Sequence, residues 1–274
     1  MKEMKIYSKH DYKDNHAIRV DVRKFLDARL DYLELVLRNT RSLPSRYSGR
    51  ALRLFTQGKL KNIDEVEFLA DFKKRPYLRK NPELAKAFLT KSVEFLDIPG
   101  KIKQKGKTRV NAKNYLRSFL ITTYYLAKAL ESVMPKSKAI NHHKRLVDKH
   151  VRNRTDYPRR ENVSQLLFKN RKLTGPFAHG FNYVDVEAGK GCAIKKIMRC
   201  KWHEVLKETR DPAFAYAVAC HCDYAAARKF NPNFALTRTQ TLTQGKKYCD
   251  FVWHDLRYSK KLAHPPKEYW DKLK

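Results

Sequence analysis

No cysteine precedes Cys192, and all five of the chain's cysteines (Cys192, Cys200, Cys220, Cys222 and Cys249) fall between Phe181 and Trp253. An odd number of thiols does not close into a disulfide framework, so reduced cysteines in a cytoplasmic protein are expected. The opening residues, MKEMKIYSKHDYKDN, lack the apolar segment of a secretory signal. Long hydrophobic runs are missing as well. The longest, Phe119 to Ala127, is too short to cross a bilayer and is flanked by Arg117 and Lys128, so no membrane association is expected. No Ser-His-Asp order and no Gly-rich nucleotide fingerprint occurs. Gly100 to Thr108 (GKIKQKGKT) has five residues where a P-loop has four, and no buried strand leads into it; it reads as a flexible basic loop.

Acidic residues are scarce. Against 28 Asp+Glu stand 60 Lys+Arg, a net charge of +32 over 274 residues. Such an excess attracts polyanions by phosphate neutralisation, which makes non-specific polyanion contact an expected property of the basic half. The charge is unevenly spread. From Gly175 to Leu256 there are 12 Lys+Arg and 8 Asp+Glu, a net of +4, which leaves +28 elsewhere. Charge and thiols therefore segregate, and no helix-turn-helix, zinc-finger or RNA-binding motif accompanies the charge.

The first part of the chain reads as helices. Asn15 to Thr40 carries Val22, Phe25, Leu26, Leu30, Leu33 and Leu37 at helical spacing and ends before Pro44. Ser45 to Gln57, stopped by Gly58, and Ile63 to Phe72 predict two shorter helices. Asn81-Pro82-Glu83 predicts a helix start, with Asn81 as cap and Pro82 at the first helical position, running to about Leu96 before Pro99-Gly100. Asn111 to Met134 has the broadest apolar face; its Tyr124-Tyr125 pair reads as core. Lys138 to Arg152, with His142, His143 and His150, reads as a solvated basic helix in preference to a metal site. Thr174-Gly175-Pro176 marks a change of period. Phe181 to Val186 and Cys192 to Cys200 predict a hairpin around Glu187 to Gly191. Trp202 to about Arg228 predicts a helix in two pieces, broken near Asp211-Pro212. Thr237 to Thr243 and Lys247 to Trp253 predict a second hairpin around Gln244-Gly245.

The fold class is therefore α+β: an N-terminal helical array followed by a small antiparallel sheet with a packed helix. The expected division is a basic helical region, 1–174, and a cysteine-containing region, 175–274, packed together as one unit.

Cys200, Cys220, Cys222 and Cys249 could converge at one edge of such a sheet. Thiolates attack carbon or ligate soft metals, and thiols also fill small-residue cores; all three roles stay open, with zinc or another divalent metal as the candidate cofactor. Asp223 and Asp250 each flank a cysteine, supplying carboxylates that orient water or bind a cation. Arg238 offers a planar fork for a substrate carboxylate.

The run from Cys200 through Phe251 resembles the L-2-amino-thiazoline-4-carboxylic acid hydrolase family. The resemblance is carried by Cys200 with Trp202, Cys220-x-x-Asp223, Arg238-Thr239 with Thr241-Leu242, Gly245, and Cys249-Asp250-Phe251. The final segment is also similar to the end of the vinyl-reductase-type small-molecule-binding domain. Cys222 beside Cys220 departs from the family pattern and leaves the functional thiol unassigned between them. The resemblance implies hydrolysis of a cyclic amidine carbon–nitrogen bond in a small carboxylate substrate. It implies Cys220, Cys249 and Asp223 as catalytic residues, with Arg238, Cys200 and Thr239 binding substrate. The alternatives are a small-molecule-binding or sensor domain with a structural cysteine or zinc site, and a basic nucleic-acid-binding protein.

Overall fold

The computed structural model describes residues 5–43, 45–57, 74–98, 106–258 and 261–274. Its centre is the expected hairpin. Strand β4 (Phe181–Glu187) pairs antiparallel with β5 (Cys192–Cys200), Asp185 opposite Lys195. Gly189, at φ +94°, makes the turn that only a residue without Cβ adopts freely. Around this hairpin a five-stranded antiparallel sheet forms in the order β1-β4-β5-β7-β6, where β1 is Lys5–His10, β6 is Phe234–Thr237 and β7 is Cys249–Asp255. The fold is α+β, as expected.

Two features of the sheet differ from the sequence reading. Strand β1 was not expected, because KIYSKH has no clean alternation. It is an edge strand with Ile6 and Tyr7 exposed, and exposed Lys9 suits an unprotected edge. The final hairpin is also not around Gln244-Gly245. Its first strand is Phe234–Thr237, and residues 238–248 form a long loop containing a 3-10 turn at Leu242–Gln244. The Thr-rich run mimics a strand, but its hydroxyls are spent on local hydrogen bonds: Thr241 Oγ1 accepts from Gln244 N at 3.3 Å.

The chain divides into two units, residues 1–14 with 147–274, and residues 15–146. The first contains the sheet. One face of the sheet (Phe181, Tyr183, Ala193, Ile197, Cys249, Phe251, Trp253) is covered by Val163, Leu166–Phe168, Ala227 and Leu242. The other face (Val184, Val186, Ile194, Val252) is covered by Tyr248, Trp270 and Leu273. Between β5 and β6 the expected helix comes in three pieces rather than two: α7 (Lys201–Leu206), α8 (Pro212–Ala219) and α9 (Cys222–Phe230). The break at Asp211-Pro212 was expected, with Asp211 capping Phe214 N. The break at Cys220-His221 was not, since no proline or glycine marks it.

The second unit carries α1 (Val22–Asn39), α2 (Arg46–Thr56), α3 (Pro76–Arg79), α4 (Pro82–Leu96) and α5 (Ala112–Ala129). The first of these starts later than its apolar spacing predicts, because β2 (Ala17–Val20) pairs with β3 (Thr108–Asn111) as a two-stranded ribbon. Pro82 opens its helix as predicted, but Asn81 does not cap it; its side-chain amide donates to Tyr77 O at 3.0 Å. Tyr124 is buried and Tyr125 meets Phe55 edge-on, so this pair is core. The basic helix is α6 (Lys136–Asn153). It is not wholly solvated: His143 is 1% exposed, because it lies on the buried stripe with Leu146 and Val147. Pro44, Gly58, the predicted helix Ile63 to Phe72, Pro99 and residues 100–105 of the basic loop lie outside the described residues.

The C-terminal segment closes the second face of the sheet through Trp270, which is 1% exposed, stacks on His264 at 5.4 Å and Tyr248 at 6.2 Å, and donates its indole N–H to Pro265 O. Buried Lys196 donates to both Trp270 O and Leu273 O at 2.7 Å. Truncating a buried tryptophan removes its transfer free energy and leaves a cavity, so Trp270→Ala is expected to destabilise the fold by about 3–5 kcal/mol. Urea unfolding measures this; an unchanged midpoint would show that the C-terminal segment does not hold the sheet.

Candidate functional site

The second helix break places the residues that matter. After Ala219 the chain turns, with Cys220 N and His221 N both donating to Tyr216 O, and α9 restarts at Cys222. In the turn the Cys220 carbonyl accepts from Asp223 N at 3.4 Å and, more closely, from Arg238. Arg238 Nη2 donates to Cys220 O at 2.7 Å and to the Tyr216 hydroxyl at 3.4 Å, while Nη1 donates to Asp223 Oδ2 at 2.7 Å. The guanidinium lies over the rings of Phe251 (4.7 Å), Tyr224 (5.2 Å) and Tyr216 (5.4 Å). Its side chain is 1% exposed against 31% for Asp223. One donor, Nε, is buried with no hydrogen-bond partner.

The thiols gather beside it. Cys220 Sγ is 3.1 Å from Thr243 Oγ1, which is 2.9 Å from Thr241 Oγ1. Cys249 Sγ accepts from Leu242 N at 3.3 Å, so both thiols hold the same 3-10 turn. Cys200, half-buried at the end of β5, packs against the same face of the sheet. Cys222 differs: its thiol donates back to Ala219 O at 3.4 Å. Cys192 belongs to the other face. All five cysteines are free thiols. Among the described residues, no group of three or more His, Cys, Asp or Glu side chains is placed to hold a metal ion.

Burial sets the protonation of this site. It pushes the Cys220 thiol up to about 11, against the pull of Arg238, and the Cys200 thiol up to about 12. Burial likewise raises Cys222 and Cys249 well above an ordinary thiol. Burial also raises Asp223, opposed by Arg238. For Arg238 burial works against the charge, but Asp223, Cys220 and Tyr216 together outweigh it and the net shift is upward. The ground state is thus a protonated set of thiols around a buried arginine paired with a partly exposed aspartate.

Thr239 and Asp250 are tied to each other. The Asp250 carboxylate accepts from Thr239 N (3.0 Å), Gln240 N (2.9 Å), the Thr239 hydroxyl and His264 Nε2 (3.0 Å). It fixes the start of the loop that carries Arg238. Sequence reasoning missed Thr243, Tyr216 and Lys195. The Thr-x-Thr spacing was a signal for the first, but it was read as strand. Lys195 is fully buried beside Asp185, donates to Leu166 O at 2.9 Å and sits 3.4 Å over the Phe168 ring. Burial pushes it down to about 8, against Asp185. A lysine alternating in a strand gives no hint that it points into the core.

A family model described as L-2-amino-thiazoline-4-carboxylic acid hydrolase matches residues 116–253. The match begins in the helix Ala112–Ala129, well upstream of the motifs from Cys200 to Phe251, and takes in the whole thiol site. No curated protein and no solved structure matches. Among the described residues, no helix is long and apolar enough to cross a membrane.

The raised thiol makes stability fall at high pH. The unfolded chain releases the Cys220 proton near 9.0 while the folded chain holds it to about 11, so stability present below pH 9 is lost as pH rises through that window. Melting temperature measured across it is expected to fall less steeply in Cys220→Ala than in the parent. Parallel slopes would mean that this thiol does not couple to folding.

Proposed function

Because the chain belongs to the L-2-amino-thiazoline-4-carboxylic acid hydrolase family, we propose that it is a hydrolase that opens a carbon–nitrogen bond of a cyclic amidine in a small carboxylate substrate. The observation that carries this reading is the unpartnered Nε of buried Arg238, next to Cys220 and Asp223. A buried donor left unpaired costs about 1–3 kcal/mol, and a substrate carboxylate oxygen would satisfy it. In this reading Cys220 Sγ adds to the amidine carbon, and the proton it loses passes by way of Asp223 to the amidine nitrogen. The carbon–nitrogen bond then breaks, and water releases the thiol. Arg238 keeps Asp223 and the Cys220 carbonyl in place and meets the carboxylate. Cys249 and Thr243 hold the turn against which Cys220 is set, while Cys200 and Thr239 border the substrate. A thiol held protonated suits a mechanism in which deprotonation accompanies attack.

The same protonated thiols favour a second reading, a domain that binds such a ligand without turning it over. Ring opening of 2-amino-thiazoline-4-carboxylate separates the two. Under the first reading, Cys220→Ser and Asp223→Asn each lower kcat by about 10²-fold or more, whereas Cys222→Ala changes it by less than about threefold. Full activity in Cys220, Cys249 and Asp223 variants alike would remove the site assignment. Saturable binding by a parent protein that never opens the ring would establish the second reading.

A further inference from the structure

A separate cleft of about 840 Å³ opens elsewhere on the sheet-containing unit, lined by residues of four segments. Arg159 to Ser164 forms one wall, held by Arg160 N donating to Phe230 O at 3.0 Å and by the Asn231 amide donating to Arg160 O at 2.8 Å. The turn between β4 and β5 brings Gly189 and Lys190, and the turn after β7 brings Arg257 and Tyr258. Four cationic side chains thus converge with two carboxylates, Glu161 and Glu187.

Their partners show which charges stand ready for a ligand. Arg257 is held by Asp255, Nε to Oδ1 at 2.9 Å and Nη2 to Oδ2 at 2.6 Å, and also donates to Glu161 O. It is wall. Glu187 is engaged by Lys169 at 2.8 Å and Asn170 at 3.2 Å. Glu161 is the other carboxylate of the lining, so an anion is expected nearest Arg159, Arg160 and Lys190. Arg160 Nε is buried and has no hydrogen-bond partner. Arg171 is held below its ordinary value by burial and then by the positive charge of Arg160. An anion at Arg160 would pair the orphan donor. At the rim, Tyr258 is 61% exposed, its ring 5.6 Å from the Arg257 guanidinium.

We propose that this cleft binds the phosphate of a nucleotide, free or within a strand, between Arg159, Arg160 and Lys190, with Tyr258 as the surface on which the base stacks. The volume lies in the range of about 300–1,000 Å³ of small-molecule sites. Guanidinium forks match phosphate geometry, and an exposed aromatic ring beside a basic groove is the usual means of holding an unpaired base. The site is independent of the thiol cluster and serves a different chemistry, charge recognition without bond breaking.

Calorimetric titration of the full chain with adenosine monophosphate, adenosine and a short oligothymidylate tests it. Adenosine monophosphate is expected to bind about tenfold or more tighter than adenosine, and Arg160→Ala to weaken it by about tenfold. The Arg160 Nε has no partner to lose, so that variant is expected to melt with the parent; Lys190→Ala, in an exposed turn, gives a second readout of the same kind. Lys272→Ala removes the same charge outside the cleft and is expected to change affinity by less than about twofold. Should only the oligothymidylate bind, with the same dependence on Arg160 and Lys190, the strand is the ligand form. If neither phosphate ligand responds to Arg160→Ala or Lys190→Ala, or adenosine binds as tightly as its monophosphate, the proposal fails. Neither outcome touches ring opening, which Arg160 is not expected to affect.

Discussion

The thiol site depends on one buried guanidinium. Arg238 spans the broken helix and the loop before β7, holding Asp223 and the Cys220 carbonyl with the two ends of its fork. A charge this deep is tolerated only where it is paired and hydrogen-bonded, and removing one partner leaves the other stranded in a low-dielectric core. Asp223 supplies the opposite charge, the Cys220 carbonyl an acceptor shared with Asp223 N, and three aromatic rings a polarisable floor. Arg238 thus bridges the break at Cys220.

Other buried cations of the sheet work as staples. Lys195 reaches Leu166 O, Lys196 reaches Trp270 O and Leu273 O, and Lys201 reaches Lys13 O. Each ties a segment outside the sheet to a strand or the helix that follows it. Burial lowers the pKa of all three, which shows how far they are withdrawn from water. Basic residues in this chain are thus not only surface charge; some satisfy the backbone carbonyls of segments that have no regular ladder.

Around the sheet two polar sites are kept apart by chemistry. The thiol cluster is enclosed, close to charge balance and built on one arginine–aspartate pair. The cleft at Arg159 and Arg160 is open and cationic. Asp250 serves the first by pinning Thr239 and Gln240, and Asp255 serves the second by pinning Arg257. Both carboxylates lie on β7.

Much of the fold was legible in the residues. The central hairpin, the helix starting at Pro82, the broad apolar helix after Asn111 and the α+β class follow from periodicity and capping chemistry, which act over a few residues. The family resemblance was equally local, carried by Cys220-x-x-Asp223, Arg238-Thr239 and Cys249-Asp250-Phe251, and the family match contains all of them. What acts at a distance was not legible. Strand β1 forms only because β4 offers an edge, and the Thr237 to Thr243 run turns away after Thr237 because Cys220, Cys249 and Asp250 engage its polar groups. The sequence by itself determined which residue types gather near the C-terminal end and which local elements carry them. Only the tertiary structure decided that Arg238 pairs with Asp223, that Lys195 is core and that the thiols are raised above their ordinary range, because pairing and burial depend on neighbours far away in the chain.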